Sequence, residues 1–232
     1  MSKQPDKQQA EKRIAAERAV AEIADGMIVG LGSGSTALLA LDAIAARMAK
    51  GLHLAGIPTS ETTAARARDL GIPLTDFSRH QRIDLAIDGA DQVARHSLDL
   101  VKGLGGSLLR EKIVASASER MIVVVDETKL VDRLGKATPL PVEIVAFGWE
   151  TTMARLTALR VTPSLRRSAG RPFVSDGGNY IADCAIADLP DPAALEARLK
   201  ATLGVITTGL FLGLATMVVV GRASGAEVIG PR

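Results

Sequence analysis

The sequence predicts an α/β fold in which a Rossmann-like, mostly parallel sheet domain holds a smaller α+β, ferredoxin-like domain inserted before its last strands. Short apolar runs alternate with amphipathic helical segments through the first half of the chain, as in a parallel sheet covered by helices. Pro139 and Pro141 then interrupt this rhythm, and the later segments follow the order strand, helix, strand, strand, helix, strand. The predicted domains are residues 1–135 with 207–232, and residues 136–206.

The elements of the first domain follow from the spacing of apolar residues. Helices are predicted where apolar positions recur every three or four residues and a glycine or a polar residue follows, at residues 9–24, 36–50, 60–70 and 107–118. Buried strands are predicted at the short apolar runs 27–31, 52–57, 84–87 and 121–125. Two more, at 218–220 and 226–229, are expected to return to the same sheet.

The inserted domain is predicted from the segments after Pro141. Strands are expected at residues 142–147, 173–175, 180–186 and 204–207, and a first helix at 149–159. A second helix is expected to begin at Asp191-Pro192, because aspartate is a good N-cap and proline is tolerated in the first turn.

Composition excludes several classes of protein. The 28 basic and 26 acidic residues give a net charge of +2, too balanced for electrostatic binding of nucleic acid, and aromatic residues for base stacking are scarce. No apolar run reaches the roughly 20 residues of a membrane-spanning helix, and the first dozen residues are polar. Cys184 is the only cysteine, which excludes an intrachain disulfide. We therefore expect a cytoplasmic protein that binds neither nucleic acid nor membrane.

Chemistry is expected at the loops that leave the parallel sheet, because such sheets bind ligands beyond the carboxyl ends of their strands. The first of these loops contains Gly32, Ser33, Gly34, Ser35 and Thr36. Its N–H groups, its hydroxyls and the positive end of the next helix suit a phosphate group, although a purely structural turn explains them about as well. The glycine spacing does not fit a dinucleotide site, and the Gly-Lys-Ser/Thr of a nucleotide triphosphate loop is missing.

Two carboxylates follow the third strand of this domain, in the sequence Asp88-Gly89-Ala90-Asp91. A glycine-bent loop here would present both to one small space, which suits proton transfer. Two other interpretations stay open: a turn in which each aspartate accepts from nearby backbone amides, and a site for a hard cation such as Mg²⁺. The sequence offers no obvious further ligands for a metal ion, so no metal is predicted.

A cation and a third carboxylate come next along the chain. Lys102 precedes the flexible segment Gly103-Leu104-Gly105-Gly106, and Glu111 lies near the start of the following predicted helix. Lys102 and Lys129 each lie beside a glycine loop or a strand end, where a cation holds an anionic ligand, although both are equally explained as solvated lysines. Together with the two aspartates, these residues indicate a sugar-handling active site.

Several motifs occur in a recognisable order over nearly the whole chain: Gly30-Leu31-Gly32-Ser33-Gly34-Ser35-Thr36-Ala37, Asp88-Gly89-Ala90-Asp91, Lys102-Gly103, Leu109-Arg110-Glu111-Lys112-Ile113, Leu134-Gly135-Lys136, Pro139-Leu140-Pro141-Val142-Glu143, Phe147-Gly148-Trp149-Glu150, Asn179-Tyr180-Ile181 and Gly209-Leu210-Phe211. This series resembles ribose-5-phosphate isomerase of the A type. Leu104 departs from it, since the family usually has a glycine there.

The resemblance implies an aldose-ketose isomerase that interconverts D-ribose 5-phosphate and D-ribulose 5-phosphate through an enediolate. It places the reaction in the non-oxidative pentose phosphate pathway, with a small sugar phosphate as ligand and without a metal or organic cofactor. It also implies a homodimer. Two alternatives stay open: a sugar-phosphate sensor without activity, and an isomerase or deaminase of amino-sugar phosphates on the same fold.

The resemblance further implies roles for individual residues. Glu111 matches the general base, Asp88 and Asp91 match positions that open the sugar ring and contact its hydroxyls, and Lys102 would offset the charge of the enediolate. These four are the expected catalytic residues. Substrate binding is expected from Ser33, Gly34, Ser35, Thr36, Asp88, Gly89, Ala90, Asp91, Lys102, Gly103, Leu104, Gly105 and Lys129, with the phosphate at Ser33 to Thr36 and at Lys129.

Overall fold

The computed structural model describes residues 3–136, 138–186 and 189–230. The predicted domain segments also contain residues 1, 2, 137, 187, 188, 231 and 232, which lie outside the described residues. None of the described helices combines the length and the apolar character needed to cross a bilayer.

The described chain contains six α-helices and sixteen strands. The helices are α1 (Lys3–Val20), α2 (Gly34–Met48), α3 (Glu61–Asp69), α4 (Leu108–Ser116), α5 (Trp149–Ala158) and α6 (Pro192–Lys200), with a 3-10 turn at Glu127–Lys129. The strands are β1 (Met27–Leu31), β2 (Leu54–Pro58), β3 (Ile83–Gly89), β4 (Gln92–Ala94), β5 (Leu100–Val101), β6 (Ser118–Asp126), β7 (Leu130–Val131), β8 (Leu140–Ile144), β9 (Thr162–Leu165), β10 (Arg167–Ser168), β11 (Arg171–Pro172), β12 (Tyr180–Ala185), β13 (Val205–Thr208), β14 (Leu210–Phe211), β15 (Met217–Arg222) and β16 (Gly225–Ile229).

The largest sheet has six strands in the order β16-β15-β6-β3-β1-β2. Neighbouring strands are parallel except for β16, which pairs antiparallel with β15 at one edge. One face packs against α1 and α2 through residues such as Ala19 and Ile44, and the other packs against α4 and the segment around Phe211. The predicted fold class is confirmed, including the return of the last two strands to this sheet.

The second sheet has four antiparallel strands in the order β13-β8-β12-β9. With α5 and α6 this is the ferredoxin-like arrangement that the sequence predicted. The strand predicted at 173–175 is wrong, because the strand that pairs with β12 is β9, and the sequence did not predict it. Strand β9 contains Pro163, which a sheet accepts at an edge, where one side of the strand needs no hydrogen bonds. Strand β13 runs through Thr208, past the predicted end of the insertion.

A third sheet, with the order β14-β5-β4-β7, was not predicted. Each of its strands has only two or three residues, too few to show a period-two pattern. Its importance is its position, since Lys102 follows β5 directly and the N–H of Lys102 donates to the carbonyl of Gly209 at 2.9 Å. The chain between Gly89 and Leu108 is thereby attached to the segment that follows β13.

Helix α1 begins six residues before the predicted start at residue 9 and ends at Val20, before the predicted end at residue 24. The residues at 3–8 are polar and carry no apolar periodicity, so the pattern could not show them as helical. Lysine and glutamine are nevertheless good helix formers, and Pro5 lies in the first turn, where its missing N–H costs little.

Candidate active site

A pocket lies at the carboxyl ends of β1, β3 and β6, where the parallel-sheet rule predicts a ligand site. It is lined by Lys12, Ser33, Gly34, Ser35, Thr36, Gly89, Ala90, Asp91, Lys102, Gly103, Gly105, Glu111 and Lys129. All the candidate residues from the sequence line this pocket except Asp88 and Leu104. Lys12 is the additional member.

Asp88 lies beneath the pocket, near the end of β3, with a residue exposure of 3%. Its Oδ1 accepts from the N–H of Ser33 at 3.1 Å and from the N–H of Gly89 at 2.7 Å. Gly32 passes so close that a Cβ there would come within 2.3 Å of Asp88 Oδ1, so only glycine fits at this position. The aspartate therefore joins the loop after β1 to the end of β3.

Lys102 is the central cation of the site. Its Nζ is 3.0 Å from Asp88 Oδ2 and 3.3 Å from Glu111 Oε2, and it donates to the carbonyl of Gly89 at 2.6 Å. The ring of Phe211 lies 5.5 Å from the same nitrogen. Burial alone lowers the pKa of Lys102, but the facing carboxylates of Asp88 and Glu111 raise it above its ordinary value. The ammonium is therefore charged at any pH at which the protein functions.

Glu111 lies in the first turn of α4, which packs closely on the sheet: a Cβ at Gly30 would be 2.5 Å from the side chain of Val114. The carboxyl group is buried, and its Oε2 accepts no hydrogen bond from any described residue. Burial raises the pKa of Glu111 to about 8, with Lys102 opposing the shift and the negative charge of Asp88 adding to it. This is a carboxyl group that exchanges its proton near neutral pH.

Asp91 lines the pocket and holds the loop that follows Lys102. Its Oδ2 accepts from the N–H of Leu104 at 2.9 Å. The side chain of Leu104 is turned to the outside, and the residue is 38% exposed, so this candidate residue contributes its backbone only. Gly103 and Gly105 line the pocket on either side of it, and Gly103 has a φ of +105°, which favours glycine.

The other end of the pocket is formed by hydroxyls, backbone N–H groups and cations. Helix α2 starts here with Ser33 as its N-cap, and this side chain makes no capping hydrogen bond because its Oγ is 2.6 Å from Thr59 Oγ1. The first turn of α2 contains no acidic residue. Its N–H groups and positive dipole end thus face the pocket together with Ser35, Thr36 and Lys129, an arrangement that binds anions.

Lys12 is the pocket residue that the sequence reasoning missed. It reaches from α1 and donates through Nζ to Ser35 Oγ at 3.3 Å. Ala15, Ala16 and Ala19, which follow it at helical spacing, are fully buried. A lysine on the apolar side of an amphipathic helix was the signal that could have identified it. Among the described residues, no group of three or more His, Cys, Asp or Glu side chains is placed to hold a metal ion.

The family model described as ribose 5-phosphate isomerase A (phosphoriboisomerase A) matches residues 55–225. The chain is 51% identical over 220 residues to ribose-5-phosphate isomerase A of Gloeobacter violaceus, and the match covers 95% of this chain and 96% of that protein. A relative of the same name from Gluconobacter oxydans is 50% identical over 219 residues, which is 93% of this chain and 94% of the relative.

Solved structures give the same result. Ribose 5-phosphate isomerase from Plasmodium falciparum superposes with a TM-score of 0.92 at 36% identity, covering 97% of this chain and 99% of that one. A D-ribose-5-phosphate isomerase in complex with phospho-erythronic acid superposes with a TM-score of 0.92 at 33% identity, covering 96% of this chain and 99% of that one.

Proposed function

The chain belongs to the ribose 5-phosphate isomerase A family, and from that premise we propose how its pocket residues interconvert D-ribose 5-phosphate and D-ribulose 5-phosphate. The reaction moves a carbonyl group between C1 and C2 of the open-chain sugar. A base must remove the proton from C2, the resulting enediolate must be stabilised, and a proton must return to C1. The hydroxyl proton on O2 must also move to O1.

Glu111 is the general base in this proposal. The observation that carries it is a buried carboxyl group with a pKa of about 8 that lines the pocket, with its Oε2 3.3 Å from the ammonium nitrogen of Lys102. A base with a pKa near the working pH combines a useful deprotonated fraction with a high proton affinity, so it can take the C2 proton and then return it to C1. Since C1 and C2 are adjacent, one carboxyl group serves both positions.

Lys102 stabilises the enediolate. Its ammonium nitrogen lies 3.3 Å from Glu111 Oε2, so a substrate oxygen that binds beside the base is also within reach of the cation. Such a charge is worth most where it is buried and fixed before the reaction starts, as Lys102 is by Asp88 and by the carbonyl of Gly89. The role of Asp88 is thus to orient Lys102 and the loop at Ser33.

Asp91 is the candidate for opening the sugar ring, because it lines the pocket and uses one oxygen to hold the N–H of Leu104. Its other oxygen can accept a proton from a ring hydroxyl. The phosphate is assigned to the start of α2, with Ser33, Gly34, Ser35 and Thr36, and to the cations Lys12 and Lys129. This end of the pocket has the N–H groups and positive charge that a phosphate dianion requires.

Replacement of the base tests the proposal. Glu111→Gln keeps the size of the side chain and removes its ability to take a proton, so kcat should fall by roughly 10²–10⁴. In the wild type, kcat/KM should rise with pH through about 8, as the free enzyme loses the Glu111 proton. Glu119→Gln, an exposed glutamate at the start of β6, is the matched control and should retain both rate and profile.

The proposal is wrong if Glu111→Gln keeps more than about a tenth of the wild-type kcat, or if the variant keeps the same pH profile. We propose that no metal takes part, because Lys102 already supplies the positive charge that the enediolate needs. Turnover of ribose 5-phosphate should therefore be unchanged after dialysis against excess chelator. Loss of activity that returns with a divalent cation would contradict this.

We also propose a homodimer that works in the cytoplasm. The support for the dimer is an apolar patch in two loops beside the second sheet, in which Phe147 is 94% exposed and Leu203 is 76% exposed. A hydrogen bond from the N–H of Val145 to the carbonyl of Gly204 joins the two loops. Light scattering should give twice the chain mass of 24.3 kDa, and Phe147→Glu should reduce it to one chain. The cytoplasmic location is supported by a single, buried cysteine.

A further inference from the structure

Arg166 connects the second sheet, β13-β8-β12-β9, to the loop that follows Lys102. It comes directly after β9, and its Nη1 donates to the carbonyl of Gly103 at 2.9 Å and to the carbonyl of Leu104 at 3.0 Å. Its Nε and Nη2 donate to the two carboxylate oxygens of Asp183 on β12. The bidentate ion pair thus fixes the guanidinium in position, and its third nitrogen, Nη1, makes the hydrogen bonds to the loop.

Phe173 completes this contact. Its ring lies 5.8 Å from the guanidinium carbon of Arg166, and its N–H donates to the carbonyl of Arg166 at 2.9 Å. The same ring fills the space beside Gly106, where a Cβ would come within 2.5 Å of it. Gly106 also has a φ of +90°, which favours glycine. Arg166 and Phe173, in the segments between β9 and β12, therefore pack against this loop.

The hydrogen bonds from Arg166 determine where the loop N–H groups point. In a trans peptide the C=O and the N–H point in opposite directions, and the described peptide bonds are all trans. Because the carbonyl of Leu104 is turned towards Arg166, the N–H of Gly105 is turned away from it. Gly105 lines the pocket, and within the described chain its N–H has no hydrogen-bond acceptor. The preceding N–H, that of Leu104, is already bound by Asp91.

We propose that Arg166 is a positioning residue for the isomerisation, which holds the carbonyls of Gly103 and Leu104 so that the N–H of Gly105 donates to the enediolate oxygen alongside Lys102. This inference rests on the proposed function, because the oxygen in question exists only in that reaction. Backbone donors aimed in advance at a developing negative charge are an effective form of catalysis, and they require a loop that does not move.

Arg166→Gln tests the inference, with Arg167→Gln as the matched control. Arg167 is the next residue, is exposed, and contacts the carbonyl of Gly170 and not the loop. We expect Arg166→Gln to lower kcat by roughly 10-fold to 100-fold while KM for ribose 5-phosphate changes by less than about 3-fold. Arg167→Gln should match the wild type in both constants.

Binding of two ligands distinguishes a role of Arg166 in positioning the loop from a non-specific structural effect of its replacement. Phospho-erythronic acid has a carboxylate at the opposite end from its phosphate, and we expect the donors that stabilise the enediolate to bind this carboxylate. Arg166→Gln should therefore bind the compound roughly 10-fold more weakly. Inorganic phosphate uses only the α2 end of the pocket, and its affinity should stay within about 2-fold of the wild type. Calorimetric titration of both variants with both ligands gives these numbers.

A kcat for Arg166→Gln within about 2-fold of the wild type would overturn the inference, and so would a parallel loss of affinity for both ligands. If Arg166→Gln does not fold, Asp183→Asn replaces it, since that change keeps the arginine and removes the carboxylate that fixes it; an unchanged kcat there overturns the inference equally. Wild-type protein that does not turn over ribose 5-phosphate would instead refute the proposed function, which keeps the two failures distinct.

Discussion

Lys102 carries the positive charge of a buried cluster whose other members are carboxyl groups. The side chains of Lys102, Asp88 and Glu111 are 3%, 4% and 6% exposed. Removing charged groups from water costs several kcal/mol per ion, and only their mutual attraction and hydrogen bonds offset that cost. Burying this cluster therefore costs free energy unless all its members are present. The energetic coupling between them can be measured from the stability of single and double variants.

Lys102→Met should both inactivate and destabilise the protein. Methionine fills a similar volume, but Asp88 then remains buried without its cation, which costs roughly 3–5 kcal/mol of unfolding free energy. The variant should also lose at least ~100-fold in kcat, because the enediolate loses its facing charge. Urea denaturation at pH 7 and steady-state kinetics measure the two effects.

The double variant Lys102→Met with Asp88→Asn is the control for this interpretation. It removes the unpaired carboxylate of Asp88 together with the cation. It should therefore regain part of the stability lost in the single variant while remaining inactive. Unfolding free energies that simply add, to within about 0.5 kcal/mol, would mean that the two side chains are not energetically coupled.

At the scale of elements, helix α1 brings a cation to the end of the pocket where we propose that the phosphate binds. Lys12 lies 3.3 Å from Ser35 Oγ, and Ser35 is in the first turn of α2. Lys12→Ala should raise KM for ribose 5-phosphate by roughly 10-fold, the value of one charge-assisted hydrogen bond, with kcat changed by less than about 3-fold. Competitive inhibition by inorganic phosphate should weaken in parallel, which steady-state kinetics can measure.

Lys7→Ala is the matched control for this prediction. Lys7 is on the same helix, its side chain is 66% exposed, and it pairs with Glu11 outside the pocket. Its removal changes the net charge equally and should leave KM unchanged. A fall in kcat for Lys12→Ala at constant KM would place Lys12 in the chemical step and not in phosphate binding.

The sequence predicted those elements that have a clear period and clear ends. The strand β1 was predicted residue for residue, and α5 to within one residue. Apolar spacing defines both, with a glycine on each side of β1 and Gly148 before α5. Prediction failed at β9, whose proline and partly exposed residues hide an edge strand. It also failed for β4, β5, β7 and β14, which are too short for a pattern and exist only because distant segments meet.

The same division applies to the candidate site. Asp91 and Lys102 were identified from residue type and position beside a strand end or a glycine loop. Glu111 was identified as a carboxylate near the start of a predicted helix, and its role came from the family resemblance; the structure brings all three to one pocket. The burial of Asp88 under Lys102 and the contact of Arg166 with the loop depend on packing between distant parts of the chain. Neither has a local pattern, so neither could be read from the sequence.

At the scale of the whole molecule, the sequence predicts one domain of residues 1–135 with 207–232 and another of residues 136–206. We propose the same two domains with the second boundary after Thr208, where β13 ends. Two of the contacts that join these domains lie outside the pocket lining. Lys112 on α4 lies 3.0 Å from Glu196 on α6, next to the residue that carries the base. The smaller domain thus contacts α4 through Glu196 and the loop after Lys102 through Arg166.

The buried carboxyl group of Glu111 also affects the pH dependence of folding. In the unfolded chain a glutamate has its ordinary pKa of 4.5, and in the folded protein the pKa of Glu111 is about 8. Between these values the folded state holds a proton that the unfolded state has lost. Its contribution to stability is therefore complete below pH 4.5 and is lost as pH rises towards 8.

Glu111→Gln should remove this pH dependence, because glutamine stays neutral throughout. Urea denaturation of the wild type and the variant between pH 5 and pH 8.5 should show the variant gaining relative stability as pH rises, by on the order of 1 kcal/mol per pH unit. Glu119→Gln, which changes an exposed carboxyl group, should follow the wild type across the range. Parallel curves for the wild type and Glu111→Gln would show that Glu111 titrates alike in both states. The pKa of Glu111 would then be the same in the folded and unfolded protein. The proposal that burial gives Glu111 the pKa of a general base would be wrong.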